Sequence, residues 1–491
     1  MTSSCAKRRK RYPKKREKRR SSYTNKYEKR RTGMWRTKML YRKALLHIKK
    51  WKQSGARKAL MLTGARQIGK TTLVREFAKT AYSHFAELNF LLDEKARTIF
   101  DGPLDADTII ANLTAYLRMP LEPGNTLILL DEIQECPRAR AAIKFLVEDG
   151  RFDYIETGSL LGVRTKDVPS YPVGFEENYR MYPLDFEEFC LANGVQQETI
   201  SLLQEHFEQR KAVNESIHAT MNRLFFAYMV IGGMPEVVQR YVDSQDIAQV
   251  VQLQRDILEL YRLDISKYAQ THQREKIRAI FDAIPSQLED KNRRFILANL
   301  SKTARQERYQ SSFLWLADAG VALPCYNVSA PTLPLETNVQ RSIFKLFMND
   351  TGLLCASALN PIQLDILQGN IDANVGSIAE NVIAQELKAH GFDLRYYNNK
   401  RIGEVDFIVQ SGANVLPIEV KSGNDWLRHT ALDNVMDVGE WHIDHAYVLN
   451  KGNVKRDKKV TYLPLYFAMF LKPKELPPTL PFSIDLSALS A

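Results

Sequence analysis

The sequence has few cysteines and no long apolar run. Its five cysteines among 491 residues are scattered, odd in number and never in a CxxC pair. This argues against a disulfide framework or a structural zinc site and for a reducing compartment. No run approaches the ~20 apolar residues that cross a bilayer, and the basic N-terminus has no apolar segment behind it, as a secretory signal would have. These absences predict a cytoplasmic protein with no membrane contact.

Basic charge is concentrated in one short segment. The net charge is +12, but residues 1–32 alone hold 15 Lys and Arg against 2 Glu, a net of +13, so the rest of the chain sums to −1. We predict a disordered basic tail over residues 1–33, which could neutralise nucleic-acid phosphates. A merely solvated tail is one alternative, and a true start at Met34 or Met39 is another. The near-neutral remainder does not itself indicate nucleic acid.

The hydrophobic pattern divides the chain into regions. From residue 57, strand-like runs ("KALMLTG", "FAELNF", "TLILLDE", "FDYIETGS") alternate with helical ones, which is typical of a parallel sheet with crossover helices. We predict an α/β domain over residues 34–195, a helical region over 196–272 and a winged-helix-like domain over 273–357. Another small α+β unit fits the last pattern as well. A second α/β domain is expected over 358–491.

The segment "GARQIGKT" matches the GxxxxGK[ST] pattern between a buried strand and a helix. In that setting the loop's N–H groups and the helix N-terminus face phosphates. Lys70 would reach the β- and γ-phosphates of ATP, and the Thr71 hydroxyl would bind Mg²⁺. The expected nucleotide contacts are Gly64, Ala65, Arg66, Gln67, Ile68, Gly69, Lys70, Thr71 and Thr72.

A second motif, "TLILLDE", ends a buried strand with two acids. Ligands of open α/β sheets bind at the carboxyl ends of the strands. Asp131 is therefore predicted to hold Mg²⁺, and Glu132 to act as the general base for the attacking water. At the end of the next strand, "ETGS", Thr157 and Ser159 are alternative sensors of the γ-phosphate. Sensor or trans-acting arginines are proposed at two positions, Arg164 and Arg180.

The stretch "GEVDFIVQSGANVLPIEVKSG" places acids on two neighbouring strands. Glu419 and Lys421 are two residues apart and project from one strand face, beside Asp406 on the preceding strand. The pattern resembles the site of PD-(D/E)xK nucleases, and this resemblance implies that Asp406 and Glu419 bind Mg²⁺ and that Glu380 is the extra acidic ligand that many such nucleases carry. Lys421 would lower the pKa of the attacking water or stabilise the reacting phosphate. The alternative is that these are ordinary charged residues of a half-exposed strand, with Glu419 and Lys421 as a surface ion pair.

Several motifs in this order resemble a known group: "LTGARQIGKTTL", "LILLDEIQECP", "YPLDFEEF", "FKLFMNDTGLL", "IAENVIAQEL" and "EVDFIV…PIEVKSG". They are similar to the prokaryotic AAA-type ATP-binding proteins, near the archaeal-ATPase and STAND groups, with a C-terminal domain of unknown function. The resemblance implies an N-terminal AAA-like ATPase, a winged-helix-like middle and an end similar to PD-(D/E)xK nucleases. The strand "FAELNF" between the two nucleotide motifs, with Glu132 directly after Asp131, is typical of the additional-strand class of P-loop ATPases.

Two functions remain open at this stage. In the first, a Mg²⁺-dependent ATPase controls a C-terminal nuclease-like domain that acts on DNA or RNA. In the second, the protein is a regulatory switch or scaffold, similar to STAND proteins, whose C-terminal fold only binds a protein partner.

Overall fold

A computed structural model describes residues 39–158, 172–290, 293–300, 306–357, 362–368, 375–474 and 483–484. The predicted basic tail over residues 1–33 lies outside this part of the chain, as do Ser159 and Arg164.

The first sheet has five parallel strands in the order β2-β3-β4-β1-β5. Strands β1 and β3 are buried along their whole length, as their apolar runs predict. Because β4 lies between them, the strand before the P-loop and the strand that ends at Asp131 are separated by one strand, as the additional-strand prediction requires. The bounds are β1 Ala59–Thr63, β2 His84–Asn89, β3 Thr126–Asp131, β4 Asp153–Gly158 and β5 Glu176–Arg180.

Helices pack on this sheet and bury an aliphatic and aromatic core between the layers. The Asp105 side chain accepts a hydrogen bond from the Thr108 N–H and caps α3, and Pro137 occupies the first turn of α4. The bounds are α1 Lys43–Gln53, α2 Lys70–Ala81, α3 Ala106–Leu117 and α4 Pro137–Asp149, with short 3₁₀ turns at Glu94–Phe100 and Ile133–Glu135.

A run of helices follows the first sheet. A capping box begins the first of them, because the Asp185 side chain accepts from the Glu188 N–H and the Glu188 carboxylate accepts from the Asp185 N–H. The helices are α5 Phe186–Ala192, α6 Gln197–Gln209, α7 Glu215–Ile231, α8 Pro235–Ser244, α9 Ile247–Tyr268 and α10 Arg274–Glu289, followed by a 3₁₀ turn at Leu297–Asn299.

The second sheet, β7-β6-β8-β9, joins two of the predicted regions. Its strands are β6 Ala322–Val328, β7 Val339–Met348, β8 Arg395–Asn399 and β9 Gly403–Val405. Helix α11, Gln306–Asp318, precedes β6, and a 3₁₀ turn, Leu335–Asn338, precedes β7. Strands β6 and β7 are antiparallel, as in a wing, but β6 also pairs in parallel with β8. The sheet therefore crosses the predicted boundary between residues 357 and 358.

The third sheet has the order β10-β11-β12-β14-β13. The elements are α12 Thr351–Ser357, α13 Ile362–Leu367, α14 Gly376–Ala389, β10 Phe407–Ser411, β11 Asn414–Lys421, α15 Thr430–Met436, a 3₁₀ turn Gly439–Trp441, β12 Ala446–Asn450, β13 Lys455–Asp457, β14 Val460–Pro464 and a 3₁₀ turn Leu465–Phe470. The chain runs α14, β8, β9, β10, β11, α15 and β12, so "EVDFIV" forms two strands in different sheets and not the one strand expected from its pattern. Asp406 lies between β9 and β10, where the chain passes from the second sheet to the third.

Candidate functional site

The P-loop connects the end of β1 to the start of α2, which begins at Lys70. Gly64 and Gly69 have φ of 139° and 83°, which favour glycine. At Gly64 a Cβ would also lie 2.3 Å from the Met181 carbonyl oxygen, so no side chain fits. The loop shape that the motif predicts is therefore fixed by two glycines for steric reasons.

Lys70 folds back onto this loop. Its Nζ donates to the carbonyl oxygens of Gly64 (3.0 Å) and Ala65 (2.8 Å). Burial lowers the pKa of Lys70 to about 8, against the opposing effects of the Glu132 and Asp131 carboxylates. A phosphate bound in the loop would raise the pKa of Lys70 again, because its negative charge stabilises the ammonium form. Lys70 is therefore placed to bind a phosphate.

Asp131 is surrounded by three hydrogen-bond donors at the carboxyl edge of the sheet. Its Oδ1 accepts from Thr71 Oγ1 (2.9 Å) and from Thr157 Oγ1, and its Oδ2 accepts from Asn89 Nδ2 (2.7 Å). The structure thus brings together Thr71 and Asp131, the two predicted Mg²⁺ ligands of this domain. Thr157 contacts them directly. Asn89 was missed, although its position at the end of "FAELN" marks it as an edge residue.

Glu132 follows in a strained backbone conformation. Its φ of 54° and ψ of 48° are left-handed, which is uncommon for a residue with a side chain and recurs at functional sites. The carboxylate accepts a hydrogen bond from Gln134 Nε2. The negative charge of Glu132 counteracts the lowering of the Lys70 pKa by burial.

The other predicted P-loop contacts divide by exposure. Ala65 and Ile68 are buried, while Gln67 and Thr72 are exposed. Arg66 reaches away from the loop to α9, where its guanidinium donates to Asp264 Oδ1 (2.9 Å) and the Tyr268 hydroxyl (2.7 Å). The loop is thereby tied to the helical region.

The turn after α11 also contacts the P-loop. A Cβ at Gly320 would lie 2.9 Å from the Ala65 nitrogen, so the two backbones touch. Arg180, proposed as a sensor arginine, donates to the Ala317 carbonyl oxygen in the last turn of α11 (2.7 Å). The region after residue 273 therefore packs directly on the nucleotide-binding loop.

Asp350 fixes the "GGMP" turn beside the P-loop. Its carboxylate is 2% exposed and accepts from the Gly233 N–H (2.7 Å) and the Leu353 N–H (2.9 Å). Burial raises its pKa to about 6. At Gly69 a Cβ would be 3.8 Å from Pro235 Cγ, so this turn adjoins the P-loop.

Asp350→Ala should lower the free energy of unfolding by about 3 kcal/mol, because two buried N–H groups lose their acceptor. Urea unfolding measures this. The same change at Asp425, which is exposed, should stay within about 0.5 kcal/mol. Equal losses in both variants would contradict the assigned role of Asp350.

A buried polar network links the first domain to α14. The Tyr228 hydroxyl contacts the Leu184 carbonyl oxygen (2.7 Å) and Glu386 Oε1 (3.0 Å), and Glu386 Oε1 also accepts from the Phe186 N–H (2.9 Å). Gln385 Nε2 donates to the Tyr228 hydroxyl (2.6 Å). Gln385 and Glu386 therefore anchor α14, the helix that carries Glu380, to the first domain.

The C-terminal acids meet at the junction of the second and third sheets. Asp406 Oδ2 accepts from the Val420 N–H (2.8 Å), and Glu419 Oε1 lies 2.8 Å from Lys421 Nζ. Burial, and then the charge of Asp406, raise the pKa of Glu419. Glu419 Oε2 is buried without a hydrogen-bond partner. Asp406, Glu419 and Lys421 thus come together as predicted from their spacing.

Lys345 enters the same cluster from β7, a position that sequence reasoning missed. Its Nζ lies 2.6 Å from Glu404 Oε1, 3.3 Å from Glu380 Oε2 and 3.9 Å from Asp406 Oδ1. Arg293 contacts the other oxygen of Glu380. Within the described residues, no three His, Cys, Asp or Glu side chains are arranged as a metal site. A lysine inside the apolar run "SIFKLFM" was the available signal.

Three family models match separate parts of the chain. They are described as "AAA domain" over residues 56–190, "Domain of unknown function (DUF8612)" over 222–363, and "Domain of unknown function (DUF4143)" over 375–467. No curated protein sequence matches the chain. The first match and the sheet order agree: this part of the chain is an AAA-type domain with the α/β P-loop NTPase fold.

Similar solved structures include the Walker-type ATPase PABY2304 of Pyrococcus abyssi (14% identity, 66% of this chain and 97% of that chain, TM-score 0.38). The Orc1 protein of Aeropyrum pernix in complex with DNA (11%, 69% and 94%, TM-score 0.31) and the RuvB Holliday junction branch migration motor of Thermotoga maritima (15%, 58% and 89%, TM-score 0.28) are others.

Among the described helices, none combines the length and apolar composition that a bilayer crossing requires.

Proposed function

We propose that this protein is a Mg²⁺-dependent ATPase whose nucleotide state controls its C-terminal acidic site. The observation that carries the first part is the contact of Thr71 with Asp131 next to Lys70 on the P-loop. Side chains of these types, on these elements, bind the phosphates and the metal of a nucleoside triphosphate. The cytoplasm, where ATP is abundant, is the proposed compartment.

The residues fit Mg²⁺, since a hydroxyl and a carboxylate 2.9 Å apart are the oxygen donors that it prefers. When bound, the ion neutralises charge on the β- and γ-phosphates. Thr71 and Asp131 would hold it, directly or through water.

The protein's own groups supply the remaining chemistry. Lys70 would leave the carbonyl oxygens of its loop and donate to the phosphates, which the loop's N–H groups also bind. Glu132 would orient a water molecule and accept its proton. Thr157, which already contacts Asp131, would respond to the loss of the γ-phosphate.

Contacts around the P-loop support nucleotide control of the rest of the chain. Arg66 binds α9, and Gly320 touches Ala65. A triphosphate that reorders this loop would act on the helical region and on the turn that leads into β6. Because β6 pairs with β7 and β8, movement there reaches the strands that carry Lys345 and lead to Asp406.

We further propose that the C-terminal site cuts DNA or RNA with a divalent cation. The unpartnered Glu419 Oε2 is the observation that fits a cation there, with Asp406 beside it. Asp406 and Glu419 would hold the ion, which activates water and offsets phosphate charge. Lys421 would stabilise the phosphate as charge develops.

The competing proposal is a regulatory switch or scaffold whose C-terminal fold only binds a protein partner. The near-neutral charge of the chain after residue 32 favours it, as does the pairing of the acids with Lys345, Arg293 and Lys421.

A cleavage assay separates the two proposals. Labelled single-stranded and duplex DNA and RNA are incubated with Mg²⁺ or Mn²⁺, with and without ATP. Wild type should cut at least one substrate, with a rate that depends on ATP. Glu419→Ala and Lys421→Ala should each be slower by about 100-fold.

Glu440→Ala, which removes an exposed acid in the same region, should cut as fast as wild type. No cleavage by any protein, or equal cleavage by all four, would reject the nuclease and favour the partner-binding switch.

A further inference from the structure

Lys345 is fully buried, yet it carries an ammonium group. Its side chain has 0% relative exposure, and its Nζ lies 5.0 Å from the centre of the Tyr396 ring. Glu404, Glu380 and Asp406 are its carboxylate partners, at 2.6, 3.3 and 3.9 Å. A buried charge persists only where it is paired and well fixed, so these acids and the ring form a site built around an ammonium ion.

The position of this ammonium group matters for the proposed metal chemistry. A divalent cation bound to Glu380, Glu404 and Asp406 together would lie beside Lys345 Nζ, and like charges repel strongly where water is excluded. Lys345 therefore occupies the place that a second metal ion would need.

Glu419 is different because its second oxygen has neither a hydrogen-bond nor an ion-pair partner among the described residues, whereas Arg293 contacts the second oxygen of Glu380. Oε1 binds Lys421, but Oε2 is unpaired although the residue is only 6% exposed. A buried carboxylate oxygen without a donor is costly, and a cation between Glu419 and Asp406 would remove that cost.

We infer that Lys345 is a resident cation of the acidic site, so that the site takes one divalent cation, on Asp406 and Glu419. Glu380 and Glu404 hold Lys345 instead of metal. This inference rests on the proposed metal-dependent function of the C-terminal region. Lys345 is then a positioning residue for the acids of this site. It is supplied by β7, which lies outside residues 375–467, the part of the chain that the C-terminal family model matches.

Mn²⁺ binding measured by calorimetry tests the inference on the full chain without nucleotide. All proteins carry Asp131→Asn, which removes the carboxylate of the metal site proposed in the first domain. The parent should bind one Mn²⁺. Asp406→Asn and Glu419→Gln should each weaken binding at least tenfold.

The decisive comparison is Glu380→Gln, another acid-to-amide change in the same cluster. It should keep one Mn²⁺ with its Kd within about threefold, while the melting temperature falls because Lys345 loses a partner. Lys345→Met should bind two Mn²⁺, because Glu380 and Glu404 lose the ammonium group that they now hold. Lys345→Arg should still bind one.

Two Mn²⁺ in the parent, none in the parent, or loss of binding in Glu380→Gln would overturn the inference. So would a single Mn²⁺ in a folded Lys345→Met protein. If that variant does not fold, as seen by circular dichroism, the Glu380→Gln and Lys345→Arg results decide. Metal binding with this pattern, but without cleavage, would uphold the site while rejecting the nuclease.

Discussion

Lys70→Ala is expected to raise the Kd for ATP about 100-fold and to abolish measurable hydrolysis. Lys70 is the basic side chain that stays against the P-loop, where its Nζ donates to the carbonyl oxygens of Gly64 and Ala65, while Arg66 reaches away to α9. Removing a buried charged partner of a phosphate costs about 3 kcal/mol, which corresponds to that change in Kd. Titration with a fluorescent ATP analogue measures the affinity, and phosphate release measures turnover.

Lys79→Ala provides the matched control, since it makes the same change on the same helix. Lys79 is largely exposed and pairs with Glu76 on the surface (2.5 Å), a contact worth less than about 1 kcal/mol. Its Kd and turnover should equal those of wild type. If Lys70→Ala folds and still hydrolyses ATP at the wild-type rate, the P-loop assignment fails.

The parts of the molecule that could be predicted depend on local patterns. The P-loop, the Asp131 strand and the capping box at Asp185 are each encoded within about ten residues, where periodicity and turn chemistry decide the conformation. The C-terminal acids were found for the same reason: Glu419 and Lys421 share one strand face, and a short hairpin brings Asp406 alongside.

The missed features all depend on contacts between distant segments. Lys345 and Glu404 are 59 residues apart, and nothing local pairs β7 with the C-terminal strands. The parallel pairing of β6 with β8 also crosses the expected boundary after residue 357. Parallel strands need a long crossover connection, and the one between β6 and β8 includes β7 and several helices, so the local pattern does not reveal the pairing. Asn89 meets Asp131 only because β2 and β3 are neighbours.

Glu132→Gln is expected to bind ATP with a Kd within about threefold of wild type and to hydrolyse it at least 100-fold more slowly. The amide has the same size and can still accept from Gln134, so the left-handed turn at Glu132 should persist. What the variant loses is a base, and general-base catalysis contributes about 10²–10⁴ in rate. Nucleotide titration and phosphate release separate the two effects.

Glu135→Gln tests whether any acid in this turn would give the same result. Glu135 lies in the adjoining 3₁₀ turn, near Arg97 (3.6 Å), so its amide variant should retain wild-type turnover. If Glu132→Gln fails to bind ATP, Glu132 supports the fold of the site. If both variants hydrolyse at the wild-type rate, another group accepts the proton, and the strained backbone at Glu132 needs a different explanation. Slow hydrolysis with intact binding in Glu132→Gln alone would identify the base, and it would supply the ATP-trapped protein in which control of the C-terminal site can be measured.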